Sequence, residues 1–131
     1  MNYDAFLGEV QHRLELPDEG HAAKMTRVVL NTLGERLGEG EAADLAAPLP
    51  MEIDRFLTES RGGQQFTYQE FIDRVCRRAD VEEADAHFYA QAIVALVAEC
   101  ATGSEMQQVQ EQLPEDYEEL FEFTEQEAVP W

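Results

Sequence analysis

The residue types in this sequence that could carry out chemistry are histidine, cysteine and the carboxylic acids. Glu9 lies three residues before His12, a spacing that puts both on one helix face and that di-iron bundles use in each half-site. Such a site needs a second half, but the aligned positions later in the chain are Arg74 and Arg77. Glu9 and His12 are therefore candidate metal ligands, the favoured interpretation is a solvated helix face, and no cofactor is expected.

The sequence gives little support to a catalytic nucleophile or to a calcium-binding loop. Cys76 and Cys100 fall on apolar helical stripes, which predicts buried, reduced thiols instead of a disulfide or a reactive nucleophile. The acidic stretch 80–85 follows a helix as a calcium loop would. It lacks the central glycine of such a loop and has Val81 and Ala84 among the positions that would supply ligands. Catalytic residues are not assigned, and we expect a protein that is not an enzyme.

Two parts of the sequence align with each other. A shift of 65 positions superposes Arg13 on Arg78, and a shift of 64 superposes Glu35 on Glu99. The same two shifts superpose Tyr3 on Tyr68, Phe6 on Phe71, Val10 on Val75, Val29 on Ile93, Leu33 on Val97, Leu45 on Val109 and Leu49 on Leu113. A period this long indicates a duplicated supersecondary unit.

The length of 131 residues suits one domain with a substantial core. We expect a single domain over 1–131, in which repeat 1 (2–58) and repeat 2 (66–122) share one core. The acidic segment 123–131 is predicted to be a frayed tail.

Apolar residues recur at helical spacing through both repeats, and no segment alternates with the period of two that a strand requires. The prediction is an all-α bundle of two pseudo-symmetric repeats, with six to eight helices and no sheet. The third and fourth helices are predicted over 41–47 and 51–58. The predicted helix caps are Asn2, Asp18, Thr67 with Glu70, Asp80 with Glu83, and Ser104 with Gln107.

Acidic residues dominate the composition. There are 28 acidic and 9 basic residues, the formal net charge is −19, and Lys24 is the single lysine. Because salt screens the self-repulsion of such a surface, we expect a halophilic protein in a cytoplasm of high ionic strength. An acidic interaction protein of an ordinary cytosol is the alternative. The charge opposes nucleic-acid binding. The start has no secretory signal and no apolar run is long enough for a membrane span, so we expect a cytoplasmic protein without membrane association.

Three runs of sequence resemble a known prokaryotic family, the one catalogued as domain of unknown function 2267. They are Leu33–Leu37 (LGERL), Gly40–Pro50 (GEAADLAAPLP) and Gln112–Phe121 (QLPEDYEELF). The resemblance covers Tyr3 to Phe121. It implies a small, duplicated, all-helical domain found in bacteria and haloarchaea, and the acidic composition fits a haloarchaeal member. It supplies no catalytic or binding residues.

The repeat predicts a structural clamp. Each repeat has one arginine near the end of its first helix, Arg13 or Arg78, and one glutamate late in its second helix, Glu35 or Glu99. Antiparallel packing of these helices would bring the charges together. We expect Arg13 to pair with Glu35 or with Glu99, and Arg78 to reciprocate.

A second set of residues is a candidate partner-binding surface. His87, Phe88 and Tyr89 are consecutive on a helix, so they cannot all face the core, and at least one aromatic ring should be partly exposed. Together with Phe66, Phe123 and Trp131 they can line an apolar cleft for a partner helix or for the chain's own tail. Ordinary core packing is the alternative.

Arg74 and Arg77, with Arg78, form a basic cluster that can receive an acidic partner. The alternative is that Glu70 with Arg74 and Asp73 with Arg77 form surface pairs along one helix.

The sequence thus favours a small acidic interaction or regulatory module that binds a protein partner through an apolar face. A metal-binding or enzymatic bundle, and a binder of basic proteins through the acidic surface, are the alternatives. The partner and the oligomeric state are not encoded in any motif.

Overall fold

The described part of the protein is entirely helical. A computed structural model describes residues 1–125 and 128–131, and within these ranges there are eight α-helices, one 3-10 helix and no strand. The α-helices are α1 (Tyr3–Arg13), α2 (Glu19–Arg36), α3 (Glu39–Ala46), α4 (Ile53–Thr58), α5 (Tyr68–Ala79), α6 (Glu83–Cys100), α7 (Gly103–Gln112) and α8 (Glu122–Glu125), and the 3-10 helix is Glu115–Phe121. The predicted all-α class without a sheet is confirmed, and the superposable repeat stays a prediction. None of the described helices combines the length and the apolar composition of a membrane span.

Three helices begin at the residues that the sequence predicts as caps. The side chain of Asn2 accepts a hydrogen bond from the backbone of Ala5 at 2.8 Å, and that of Asp18 accepts one from His21 at 2.8 Å. Thr67 caps α5 in the same way. Each side chain satisfies a backbone N–H that has no partner inside its helix.

Two predicted caps are wrong. Asp80 does not begin a helix; it ends α5 in the left-handed conformation at φ 56, and α6 begins one turn later after Glu82. The cap of α7 is Thr102 and not Ser104, since the Thr102 hydroxyl accepts from the backbone N–H of Glu105 at 3.3 Å. Thr102 with Glu105 has the same capping-box spacing two residues earlier, so spacing alone could not decide between the two.

Two predicted helix starts also differ. The third helix begins at Glu39 because Gly38 is the extended residue that precedes it, which leaves Gly40 inside the helix. The fourth helix begins at Ile53, two residues later than predicted.

Buried side chains from both halves of the chain form one apolar cluster. Helices α2 and α6, each of 18 residues, are the longest. Helix α2 packs against α1, α4, α5 and α6, and α6 also contacts α1, α5, the 3-10 helix and α8. Because most of the apolar faces meet on α2 and α6, these two helices position the side chains of the candidate site.

Gly34 allows α2 and α4 to approach closely. A Cβ atom built at Gly34 would lie 2.1 Å from the carbonyl oxygen of Leu57 in α4. No side chain fits at that distance, so this contact requires glycine.

The C-terminal segment differs from the predicted frayed tail. Of the predicted tail 123–131, residues 126 and 127 lie outside the described residues. Phe123 lies in α8, and both Phe123 and Trp131 are partly buried against the core. Burial of two aromatic rings offsets part of the entropy that an ordered tail loses.

Candidate functional site

Arg13, at the end of α1, is a buried cation held by two carboxylates. Its Nη1 and Nη2 donate to the carboxylate oxygens of Glu99 in α6 at 2.6 and 3.0 Å, and its Nε donates to Glu9 at 3.1 Å. The Arg13 side chain is 8% exposed and that of Glu99 is 53% exposed. Burial by itself lowers the pKa of Arg13, but the hydrogen bonds and charges of Glu99 and Glu9 outweigh it and raise the pKa above its ordinary value.

Arg78 in α5 makes the corresponding pair with Glu35 in α2. Its Nη1 and Nη2 donate to the two oxygens of Glu35 at 2.7 and 3.0 Å, and Nη1 also donates to the hydroxyl of Thr32. Arg74, one turn earlier, donates to Glu35 at 3.1 Å and to Gln64 at 3.0 Å. The Glu35 side chain is 15% exposed, so two guanidinium groups share one largely buried carboxylate.

The two ion pairs cross between the halves of the chain in opposite directions. Arg13 belongs to the first half and binds Glu99 of the second, whereas Arg78 belongs to the second half and binds Glu35 of the first. Of the two arrangements that the sequence left open for Arg13, the structure contains the one with Glu99. Each pair has the bidentate geometry that gives arginine and carboxylate their strongest contact.

The predicted surface pairs of Arg74 and Arg77 are not formed. Arg74 turns to Glu35, and its guanidinium carbon lies 3.8 Å from the centre of the Phe66 ring. Asp73 accepts from Gln69 at 3.1 Å, and the exposed Arg77 makes no ion pair within the described ranges. A partly buried carboxylate on α2 attracts Arg74 more strongly than the solvated Glu70 does.

A row of aromatic side chains runs from α6 to the C-terminus. The ring of Phe88 lies 6.2 Å from Tyr89 and 5.9 Å from Phe123, and Phe123 lies 5.6 Å from Trp131. The row ends where the guanidinium carbon of Arg13 lies 4.6 Å from the centre of the Trp131 ring. Partial burial of Phe88, Tyr89 and Trp131 leaves part of each ring in contact with solvent.

The end of this row lines a cleft of about 530 Å³, which we call the aromatic cleft. Its wall contains Arg13 and Glu99, its apolar lining includes Ala95, Ala98, Met106, Phe123 and Trp131, and Val129 of the tail completes it. The hydroxyl of Thr124 also lines the cleft and is buried without a hydrogen-bond partner among the described residues. An orphaned hydroxyl of this kind is rare in folded proteins.

Four members of the predicted surface, His87, Phe66, Phe88 and Tyr89, do not line the cleft. His87 Nδ1 is 3.0 Å from the hydroxyl of Tyr68, whose pKa is raised chiefly by burial. Phe66 is buried beneath Arg74. His87 and Phe66 therefore belong to the packing of α5. Phe88 and Tyr89 lie further along the aromatic row, and Phe123 and Trp131 line the cleft.

The candidate metal ligands do not converge. Glu9 is engaged by Arg13, and His12 is exposed on α1. Within residues 1–125 and 128–131, no group of three His, Cys, Asp or Glu side chains is arranged to hold a metal ion.

Both cysteines are free thiols, as predicted. They are partly and not fully buried, so the predicted burial is wrong in its extent. Burial is the main cause that raises the pKa of both Cys76 and Cys100. A raised pKa favours the thiol over the nucleophilic thiolate.

A third group of interacting residues does not follow from sequence spacing alone. Arg36 is buried at the end of α2, where its Nε donates to the carbonyl of Phe66 at 3.0 Å and its guanidinium lies 5.4 Å from the Tyr117 ring. The Tyr117 hydroxyl donates to the same carbonyl at 2.8 Å. The position of Arg36 between Leu33 and Leu37, on the buried stripe of α2, was the available signal.

A comparison with protein families identifies the chain. The model of the family described as uncharacterized conserved protein (DUF2267) matches residues 3–120. The chain belongs to this family. No curated protein matches the sequence.

The DUF2267 resemblance rests partly on the run Leu33–Leu37, and three residues of that run join separate parts of this fold. Gly34 admits the backbone of α4, Glu35 binds Arg74 and Arg78, and Arg36 holds the segment before α5. In this chain the run is therefore a structural junction.

Proposed function

We propose that the protein is a non-enzymatic interaction module that binds an aromatic side chain of a partner protein in the aromatic cleft. The position of Trp131 carries this proposal. Its ring already lies on Arg13 and against Phe123 within the cleft, so the chain's own tail occupies the place that a partner segment would take. A cation over an indole ring is a favourable contact, the more so when it is partly desolvated.

The lining supports a peptide ligand. Ala95, Ala98 and Met106 are small or adaptable, and methionine in particular accommodates different apolar shapes. A segment that displaces the tail can also bring a polar group to the Thr124 hydroxyl.

Apolar recognition also suits the charge of the molecule. With a net charge of −19, attraction by surface charge is weakened by the high salt that we propose for its cytoplasm. Burial of an aromatic ring does not depend on that charge. The cleft is thus suited to bind under conditions in which surface ion pairs contribute little.

The test uses a labelled peptide of residues 122–131 as the probe and the full chain with Trp131→Ala as the receptor. The substitution empties the indole position, so the peptide supplied in trans should bind, and a peptide with alanine in place of its tryptophan should bind about tenfold more weakly or worse. Fluorescence anisotropy in buffer of high KCl concentration measures both affinities.

Two variants of the receptor serve as controls. Ala98→Glu places a carboxylate in the cleft and should abolish binding, whereas Met51→Ala removes an exposed apolar side chain elsewhere and should leave it unchanged. Equal binding by the receptor with and without Ala98→Glu would show that the cleft is not the binding site. Absence of binding by the peptide would also contradict the proposal.

A further inference from the structure

A second groove lies where α2 meets the segment that follows α4 and the end of α5. Its volume is about 360 Å³. We call it the basic groove, because three cations, Lys24, Arg27 and Arg78, line it together with Val28, Asn31, Glu35 and Ser60.

The basic groove concentrates positive charge in a strongly acidic protein. Three of the nine basic residues line it, and a fourth, Arg74, contacts Arg78's partner Glu35. The carboxylates that accept hydrogen bonds from the lining cations are Glu59, from Arg27, and Glu35, from Arg78. Three lining cations against these two carboxylates leave a surplus of one positive charge at the groove.

Two of the three cations of the groove, Arg27 and Arg78, are held in position by carboxylates. Arg27 Nε donates to Glu59 at 2.7 Å, Asn31 donates to the same carboxylate at 2.9 Å, and Arg78 is fixed by Glu35. The two Nη groups of Arg27 and the ammonium of Lys24 make no hydrogen bond within the described part of the chain. Because Arg27 and Arg78 are already positioned, they can bind an anion at a low entropic cost, and Lys24 adds an unpaired charge.

From this arrangement we propose that the basic groove binds a small, multiply charged oxyanion ligand, with phosphate or carboxylate groups contacted by Lys24, Arg27, Ser60 and Arg78. The volume lies at the lower end of the range for small-molecule sites and is too small for a folded partner. The acidic surface outside the groove repels long polyanions, so nucleic acid is not the ligand.

The basic groove joins α2 of the first half to Arg78 of the second half, and two of its α2 residues have no polar counterpart in the second half. By the predicted shift of 64, Lys24 aligns with Phe88 and Asn31 aligns with Ala95, so the corresponding positions of the second half are apolar. The oxyanion site and the aromatic cleft are independent, and failure of one proposal leaves the other standing.

Isothermal titration calorimetry of the full chain tests the proposal, with pyrophosphate and citrate as separate probes. KCl holds the total ionic strength constant through each titration. One saturable site is expected for at least one probe, and the two arms tell whether phosphate or carboxylate groups are preferred. Lys24→Ala should weaken binding about tenfold, because it removes a charged donor that no other residue replaces.

Arg55→Ala is the matched control. Arg55 is an exposed cation on α4 that does not line the groove and makes no ion pair in the described ranges, so its loss changes the net charge equally. It should leave the affinity unchanged. No saturable binding of either probe, or the same loss in Lys24→Ala and Arg55→Ala, would overturn the proposal. Binding of a glutamate-rich peptide without binding of either small probe would make the groove a protein docking surface, and would overturn it too.

Discussion

The guanidinium of Arg13 and the carboxylate of Glu99 form two hydrogen bonds, of 2.6 and 3.0 Å, between residues 86 positions apart in the chain. The guanidinium lies on the buried side and the carboxylate on the solvent side. This ion pair joins α1 to α6. Loss of the Glu99 carboxylate would leave the buried guanidinium of Arg13 with Glu9 as its remaining carboxylate partner.

Arg13→Ala should therefore lower the free energy of unfolding by about 2–4 kcal/mol, and Glu99→Ala by about 1–2 kcal/mol because half of its side chain is in water. A double-mutant cycle, measured by urea denaturation, should give a coupling energy of about 1–2 kcal/mol. Arg55→Ala, which removes an exposed arginine, should change stability by less than about 0.5 kcal/mol. A coupling energy near zero would mean that Arg13 and Glu99 do not stabilise each other.

Glu35→Ala should cost more than Glu99→Ala, about 2–4 kcal/mol. Glu35 is less exposed, and its removal leaves both Arg74 and Arg78 without their shared carboxylate. Chemical denaturation of the two variants side by side measures the difference. An equal or smaller loss in Glu35→Ala would contradict the argument from burial.

Gly34→Ala should destabilise the fold by about 1–3 kcal/mol, because the new methyl group would overlap the carbonyl of Leu57 and force α2 away from α4. Gly8→Ala is the matched control, since Gly8 is also in a helix but a Cβ atom there meets nothing within 4 Å. It should be neutral or stabilise the fold by up to about 1 kcal/mol. Thermal unfolding of both variants provides the measurement, and a stable Gly34→Ala protein would rule out the tight contact.

Alkaline pH should destabilise the protein through its buried tyrosine Tyr117. Burial, the largest cause, raises the pKa of Tyr117 to about 12 from its ordinary value of 10.0, while the nearby Arg36 acts in the opposite direction. The neutral hydroxyl is thus favoured in the folded state. The stabilisation of the folded state by the neutral Tyr117 hydroxyl is fully present below pH 10. It is lost as the pH rises from the ordinary pKa of 10.0 through the folded-state pKa of about 12.

Urea denaturation at pH values below and above this window should show a loss of roughly 1–3 kcal/mol for the group. Tyr117→Phe should be less stable at neutral pH by about 1 kcal/mol, because the carbonyls of Phe66 and Thr67 lose a donor, and should lose less stability on alkalinisation. An equal loss of unfolding free energy at alkaline pH in the unmutated protein and in Tyr117→Phe would exclude Tyr117 as its cause.

The melting temperature should rise with KCl concentration. At a net charge of −19 the folded chain repels itself, and the screening length falls from about 10 Å at 0.1 M to about 3 Å at 1 M salt. Differential scanning calorimetry across this range should show an increase of several degrees. A constant or falling melting temperature would contradict the expectation of a halophilic protein and favour an ordinary cytosol.

Local patterns in the sequence were enough for the helices and for some of the contacts. Apolar spacing predicted the all-α class. Alignment of the two halves identified Arg13, Glu35, Arg78 and Glu99 as candidates for ion pairs. The choice of Glu99 for Arg13 could not be made, because it depends on how the two halves pack. Both arrangements satisfy the same spacing.

Contacts between distant segments could not be predicted from the sequence for the same reason. Spacing offers Glu70, one turn away, as a partner for Arg74, but the carboxylate that Arg74 contacts is that of Glu35 on α2, 39 residues distant. The cations of the basic groove come from α2 and α5, and the place of Trp131 depends on a chain that folds back over α6. Spacing along one helix carries no information about contacts between residues of different segments.

The crossed arrangement of Arg13 with Glu99 and Arg78 with Glu35 has the property of an isologous interface, in which residue i of one subunit contacts residue j of the other and the reverse contact also occurs. Here the contact and its reverse lie within a single polypeptide, between two segments whose repeat is predicted from the sequence. A half of this chain produced alone would lack the charged partners that the other half supplies, and under the predicted repeat a second copy of the same half would supply them.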